Sequence, residues 1–182
     1  MNLTGKILVA PPSLRTNFWS KSVIFITENH ERGSLGLVLN KKSKMPIDEF
    51  SKQIGVDTNM DGYLHIGGPV NVKALTLLHS AEWACSNTMC IDNQFSISSS
   101  QDLLSRLAAG DRPQWYRMIL GLCAWAPDQL ENEVKGIAPF SHNTSWLLAS
   151  PSTNFVFELD HSEQWTQGIE QSGLEFVSSL LA

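Results

Sequence analysis

Short apolar runs punctuated by turn residues dominate the first half of the chain. Lys6–Ala10 reads as a strand that stops at Pro11-Pro12, which supply no ladder donors. Val23–Thr27 and Leu35–Leu39 are strand-like runs separated by Asn29-His-Glu-Arg-Gly33, a hairpin connection. Pro46 precedes a short amphipathic helix in which Phe50 and Ile54 fall four apart, closed by Gly55. Tyr63–Ile66 is a strand stopped at Gly67-Gly68-Pro69, and Ala74–Ser80 is another. Met89–Ile91 and Gln94–Ile97, joined by Asp92-Asn93, form a tight hairpin, because Asn and Asp tolerate the positive φ such turns require.

The second half carries the helical patterns. Ser99 and Asp102 are spaced as a capping box, followed by a Leu103, Leu104, Leu107, Ala108 stripe that Gly110 ends. Pro127 is placed to open a second helix, where its missing N–H costs nothing. Leu130 and Val134 share that helix's inner face, Glu131 and Lys135 pair outside, and Gly136 stops it. Ser162 caps a third helix carrying Trp165 and Ile169 and ending at Gly173. Between the first two helices, Trp115–Trp125 is apolar on both alternating faces, and Gly121 favours a central strand over a buried helix. Strands outnumber helices and many are joined by hairpins, so the fold class is α+β rather than a doubly wound parallel sheet.

Composition narrows the function classes. The chain has 182 residues, which fits one domain over 1–182. With 42% hydrophobic and 17% charged residues it has the wrong balance for disorder. A net charge of −5 argues against a general nucleic-acid binder, so direct nucleic-acid contact is not expected. The charge is uneven: residues 1–52 hold eight Lys/Arg and four Asp/Glu (+4), whereas 118–182 hold one Lys and eight Asp/Glu (−7). Facing apart, these segments would make the molecule dipolar; packed together, they are internal complementarity. Three cysteines without CxxC spacing do not suggest a disulfide framework, and no apolar run is long enough for a bilayer. A reduced, cytoplasmic protein without membrane contact is the expectation.

Several chemistries lack their motifs. There is no GxxxxGK[ST], no GxGxxG after a strand, no HExxH, no paired CxxC and no GxSxG. No cofactor or metal is therefore implied. His79, ending its strand, offers a general base, but a core-edge histidine satisfied by a carbonyl carries more weight. His30 beside Glu28 reads first as a polar turn. Gly67 and Gly68 offer close backbone approach to an anion, or a bend ending a strand. Lys41, Lys42 and Lys44 form the one basic cluster, with a solvated loop as its ordinary reading. Trp125, Trp115 and Trp165 read as core, and Trp19 and Trp83 as loop residues. Cys85 and Cys90 offer a redox pair, against the commoner buried thiol.

Several blocks carry a family resemblance. Gly5-Lys-Ile-Leu-Val-Ala-Pro11, Phe18…Ser22-Val-Ile-Phe-Ile, Glu28-Asn-His30 and Gly33…Gly36-Leu-Val-Leu-Asn40 occur in order. Gly67-Gly-Pro-Val70, Leu78-His79-Ser80, Leu107-Ala-Ala-Gly110 and Leu120-Gly121…Trp125…Gln129-Leu-Glu131…Glu133 follow. Together they resemble the YqgE/AlgH family of bacterial proteins over nearly the whole chain. The resemblance implies a cytosolic α+β domain of strongly bent mixed or antiparallel sheets packed with about four helices. It brings a transcription-regulatory role but no catalytic mechanism. The chain departs from the family pattern at Lys42, where proline is usual, and at Ala124-Trp125-Ala126-Pro127-Asp128-Gln129, where Gly-Trp-Gly-x-Gly-Gln is usual.

The expectation is a non-enzymatic cytoplasmic binding or regulatory protein acting through a protein partner or homo-oligomer. Its candidate binding residues are His30, Asn40, Gly67, Gly68, His79, Trp125, Gln129 and Glu131. The alternative is a small hydrolase or metabolite-binding enzyme with a cleft near His79, Gly67, Gly68 and Gln129.

Overall fold

The computed structural model describes residues 2–15, 18–99, 101–138 and 146–181. Its strands are β1 (Ile7–Val9), β2 (Val23–His30), β3 (Gly33–Val38), β4 (Lys42–Pro46), β5 (Tyr63–Ile66), β6 (Val70–Ser80), β7 (Met89–Cys90), β8 (Phe95–Ser98), β9 (Tyr116–Trp125) and β10 (Leu147–Ala149). The helices are α1 (Ile47–Gln53), α2 (Gln101–Ala108), α3 (Gln129–Lys135) and α4 (Gln164–Leu181), with a π-helical turn at Asn154–Glu158.

The strands form one sheet in the order β10-β1-β2-β3-β9-β6-β8-β7. Every pairing along that path is antiparallel. β5 joins β9 in parallel and carries β4 on its other side. Irregular registers in β2 and β6 and a left-handed Gly121 (φ +75°) in β9 bend the sheet into a half-barrel. The α+β class expected from the hairpins is what the chain adopts.

Alternation along β1 and β2 supplies both faces of the core. Ile7, Val9, Val23 and Phe25 point one way, against Phe155, Val156, Trp165 and Ile169 of the π turn and α4. Leu8, Ile24 and Ile26 point the other way, against Trp125, Trp146 and Leu130 of α3. A third cluster joins Leu77 and Met118 to Ile47 of α1 and to Leu103 and Leu107 of α2. Burying those two leucines contributes about 1.5–3 kcal/mol each, which holds a helix too short to be stable alone.

Several local expectations change. The lysine cluster is not a loop: Lys42 pairs with His65 in the β4–β5 ladder, and its ammonium lies 4.2 Å from the Tyr63 ring centroid. Asp102 does not close a capping box onto Ser99: the Ser99 amide donates to Asn87 Oδ1 at 3.3 Å, and Asp102 accepts the Ser86 amide at 2.9 Å. α3 begins two residues after Pro127, behind Asp128 at φ +61°. Glu131 turns from Lys135 to Asn29, at 2.6 Å. α4 runs through Gly173 to Leu181, since Gly173 is tolerated mid-helix. Trp83 is buried rather than loop-exposed, and packs edge-on to His79.

The basic and acidic segments lie together. β1 sits between β2 and β10, Lys6 bonds Ser150, and Lys21 lies over the Trp165 ring. The two segments thus pack side by side rather than facing apart, and no ion pair among the described residues joins them.

Candidate functional site

The eight sequence candidates fall into separate places. Trp125, Gln129 and Glu131 gather at α3. Trp125 Nε1 and Trp146 Nε1 both donate to Glu133 Oε2, at 3.1 and 2.9 Å, and Gln129 Nε2 donates to Glu133 Oε1 at 2.8 Å. Gln129 Oε1 accepts the Ala126 amide at 3.0 Å, which closes the turn into the helix. Glu131 reaches the β2–β3 hairpin through Asn29, one residue before His30. His30 itself is exposed, 3.3 Å from Glu28, and its Nδ1 accepts the Arg32 amide.

The others sit elsewhere. Asn40 clips the start of β2, with Oδ1 accepting Val23 N at 3.0 Å and Nδ2 donating to Lys21 O at 2.7 Å. Gly67 and Gly68 cross β9 so closely that a Cβ on either would run into the Gly121 or Leu122 carbonyl. His79 is fully buried. Its Nδ1 meets Ser80 O and its Nε2 meets Ser98 Oγ, each at 2.9 Å. Burial lowers its pKa, and the Ser80 backbone and Glu82 offset this in part. Both ring nitrogens are thus engaged, Nε2 tying β6 to β8 and Nδ1 bonding its own strand, and the glycines hold backbones against each other. These side chains do not meet on one concave surface.

A different cluster does line a cavity. Arg117 of β9 is buried, and it lies against His65 of β5 at the base of a cavity of about 240 Å³. Arg117 Nη1 donates to Leu39 O at 2.6 Å and to His65 Nε2 at 3.1 Å, and Nη2 donates to Leu159 O at 3.4 Å. No carboxylate pairs with this cation among the described residues. Arg117 Nε is shut away from solvent with no hydrogen-bond partner among the described residues. Burial first, and the Arg117 charge next, press the His65 pKa down to about 3, against a smaller opposing effect of the Tyr63 backbone. Burial lowers Arg117 to about 10, so it stays a cation at neutral pH, with Asp160 supporting the charge. Tyr116 and His161 line the cavity, and Lys42, Asp61, Glu158 and Asp160 stand exposed around it.

A larger groove, of about 680 Å³, runs between β10 and α4. Trp146, Leu147, Ile169 and Phe176 make its apolar walls, and Ser172 and Gly173 keep it open. Beside it the last two turns of α4 expose Leu174, Phe176, Val177, Leu180 and Leu181, Phe176 at 65%.

The AlgH-like family model matches residues 7–177. The chain belongs to that family. Among its relatives, a UPF0301 protein of Gluconobacter oxydans is 34% identical over 93% of this chain and 90% of its own. Another UPF0301 protein, from Shewanella denitrificans, is 28% identical over 96% and 93%. The solution structure of AlgH from Pseudomonas aeruginosa superposes with a TM-score of 0.76 at 24% identity, covering 98% of this chain and 94% of that one. The crystal structure of DIP2367 from Corynebacterium diphtheriae gives 0.67 at 23%, over 86% and 82%. These two likenesses establish the AlgH-like fold.

Within this AlgH-like chain, the departures from the expected pattern now have a geometry. Asp128 stands where the third glycine of the usual motif falls, and it takes the left-handed backbone that a glycine adopts freely. Arg117 is absent from the sequence candidates because it stands alone in an apolar run rather than in a polar cluster. The available signal was one arginine inside an apolar strand, Tyr116-Arg-Met-Ile-Leu120. No group of three or more His, Cys, Asp or Glu suited to a metal occurs among the described residues. Among the same residues, no helix is long and apolar enough to cross a membrane.

Proposed function

We propose that this AlgH-like chain is a non-enzymatic, cytoplasmic binding protein that acts through a protein partner. The partner docks an amphipathic, basic helix on the C-terminal half of α4 and the adjoining groove. The observation that carries this is the concentration of five large exposed apolar side chains in residues 174–181, beside an apolar trough. They present several hundred Å², against roughly 800 Å² that each partner of a standard interface buries, and patches of that size on a monomer are commonly functional. The charge around the patch selects the partner's rim. Residues 136–182 contain no Lys or Arg, and Glu175 lines the groove, where it accepts the Ser150 amide at 2.8 Å. An apolar face edged with lysine or arginine complements that surface, as in helix-in-groove recognition. A role in transcription, which the family resemblance implies, would then run through this partner. The acidic flank and the lack of a basic groove support contact with protein rather than DNA.

Fluorescence anisotropy with a synthetic amphipathic Leu/Lys helix tests the reading, with a Leu/Glu helix of the same pattern as control. Preference for the basic peptide, lost in Phe176→Asp with folding intact by circular dichroism, is the expected result. Equal binding of both peptides, or binding unchanged by Phe176→Asp, overturns it. Light scattering that shows a dimer dissociated by Phe176→Asp would assign the face to a second copy and also overturn it.

A further inference from the structure

We infer that a separate cavity, between the β2–β3 hairpin and β6, binds a small monoamine: one ammonium group on a compact hydrocarbon body. The inference is independent of the α4 face and of the Arg117 contact.

Strand irregularities decide what this cavity shows. By plain alternation Glu28 would follow Ile24 and Ile26, but the bulge at Thr27 sets it opposite Leu35, on the face of Phe25 and Leu37. Gly121 does the same in β9, where its left-handed backbone brings Leu122 to the face of Ile119. Glu28, Leu35, Leu37, Thr76, Ile97 and Leu122 thereby line a cavity of about 330 Å³, within the range of small-ligand sites. Elsewhere on this face Phe25, Phe95 and Ile119 are fully buried in the core that the π turn and α4 complete. No residue of the π turn or α4 lines the cavity, and Leu35, Ile97 and Leu122 stay half-buried there. A hydrocarbon body entering it removes water from those aliphatic side chains.

The charge that such a ligand must carry follows from Glu28. Among the described residues it is the one charged group on the lining, and its side chain is 32% exposed, so a ligand can reach it. His30 shares its face, with Nε2 3.3 Å from Glu28 Oε2. The Arg32 amide donates to His30 Nδ1, which a protonated ring could not accept. The ring is therefore neutral with its proton on Nε2, the atom nearest the carboxylate, and it leaves the charge of Glu28 in place. No Lys or Arg pairs with Glu28 among the described residues, and Arg32 and Lys73, next in sequence to the lining strands, do not line the cavity. An ammonium group supplies both the counter-charge and the donors that this carboxylate takes. An anion would meet Glu28 head-on, and a second cation on the ligand would be carried into leucine and isoleucine.

The test follows the methyl resonances of Leu35, Ile97 and Leu122 in heteronuclear NMR during titration with phenethylamine, phenethyl alcohol and phenylacetate, which differ chiefly in charge. Saturable movement is expected, at the lowest concentration with the amine and at the highest with phenylacetate. Glu28→Gln should weaken the amine about fivefold and leave the alcohol unchanged. Ala74→Phe, checked for folding by circular dichroism, should fill the cavity and abolish binding of the amine, whereas Phe176→Asp on α4 should leave it unchanged. Resonances that no probe moves overturn the site, as does amine binding that survives in folded Ala74→Phe. Equal affinity for the three probes, or no effect of Glu28→Gln, overturns the monoamine class.

Discussion

Replacing His65 by glutamine probes the electrostatics of the Arg117 contact in one measurable difference. Burial, reinforced by Arg117, holds His65 in the folded chain at about 3. An unfolded histidine titrates near 6.5. The folded value lies below the unfolded one, so between them the unfolded chain binds a proton that the folded chain refuses. Stability is therefore fully present above about pH 6.5 and is lost as pH falls through that window. From 6.5 down to pH 5 is 1.5 units, which at 1.36 kcal/mol each makes about 2 kcal/mol. The charged groups that face the ring are Arg117, Lys42, His161 and Asp160, and none is altered by the substitution. Glutamine keeps an acceptor for Arg117 Nη1 but does not titrate. His79, also lowered by burial, contributes equally to both proteins and cancels. Urea unfolding followed by tryptophan fluorescence at pH 7 and pH 5 should show the loss of stability smaller by about 2 kcal/mol in His65→Gln, or about 4–8 °C in Tm. Parallel pH dependence in the two proteins would refute a buried neutral His65.

Four further outcomes follow from other contacts. Asp128→Gly should stabilise the chain by about 1 kcal/mol, by relieving a left-handed residue that makes no side-chain cap bond; a lowered Tm would contradict this. Glu133→Gln should cost about 2–3 kcal/mol in urea unfolding, because in either orientation its NH₂ would face a donor, the two indoles or Gln129 Nε2, whereas Glu131→Gln should cost under about 1 kcal/mol. Gly67→Ala should cost about 3 kcal/mol by forcing the Gly67 backbone away from the Gly121 carbonyl of β9, and an unchanged midpoint would show that the crossing is loose. Thiol titration should label exposed Cys90 first and Cys123 only on unfolding, since burial raises the Cys123 pKa to about 12.

Local patterns were most legible where a single element decides its own state. The Tyr63–Ile66 strand has the bounds its apolar run suggested, and Trp115–Trp125 is the central strand that Gly121 hinted at. Leu103 and Leu107 face inward as their spacing required. What escaped depends on partners distant in sequence. β4 is rich in lysine and becomes a strand only because β5 pairs with it. β10 is a three-residue strand whose partner, β1, lies some 140 positions earlier, and no periodicity of so short a segment announces that. The candidate residues fared similarly. His79, Gln129 and Asn40 carry polar atoms that catalysis would use, but each is engaged by neighbours that the fold brings in. Arg117 shows the converse: it looks like an ordinary strand cation until the absence of a carboxylate among the described residues becomes visible.

The placement of β9 also bears on how the chain is made. β9 is the strand on which β3, β5 and β6 all converge, yet it follows them in synthesis. Between the end of β3 at Val38 and the end of β9 at Trp125 lie 125 − 38 = 87 residues. At ribosomal speeds of 5–20 residues per second, the edge of β3 waits about 4–17 s for β9, and those of β5 and β6 wait less. Open edges of that kind recruit other chains. Substitutions that slow the docking of β9 should therefore lower soluble yield during expression more than they lower the stability of protein that has already folded.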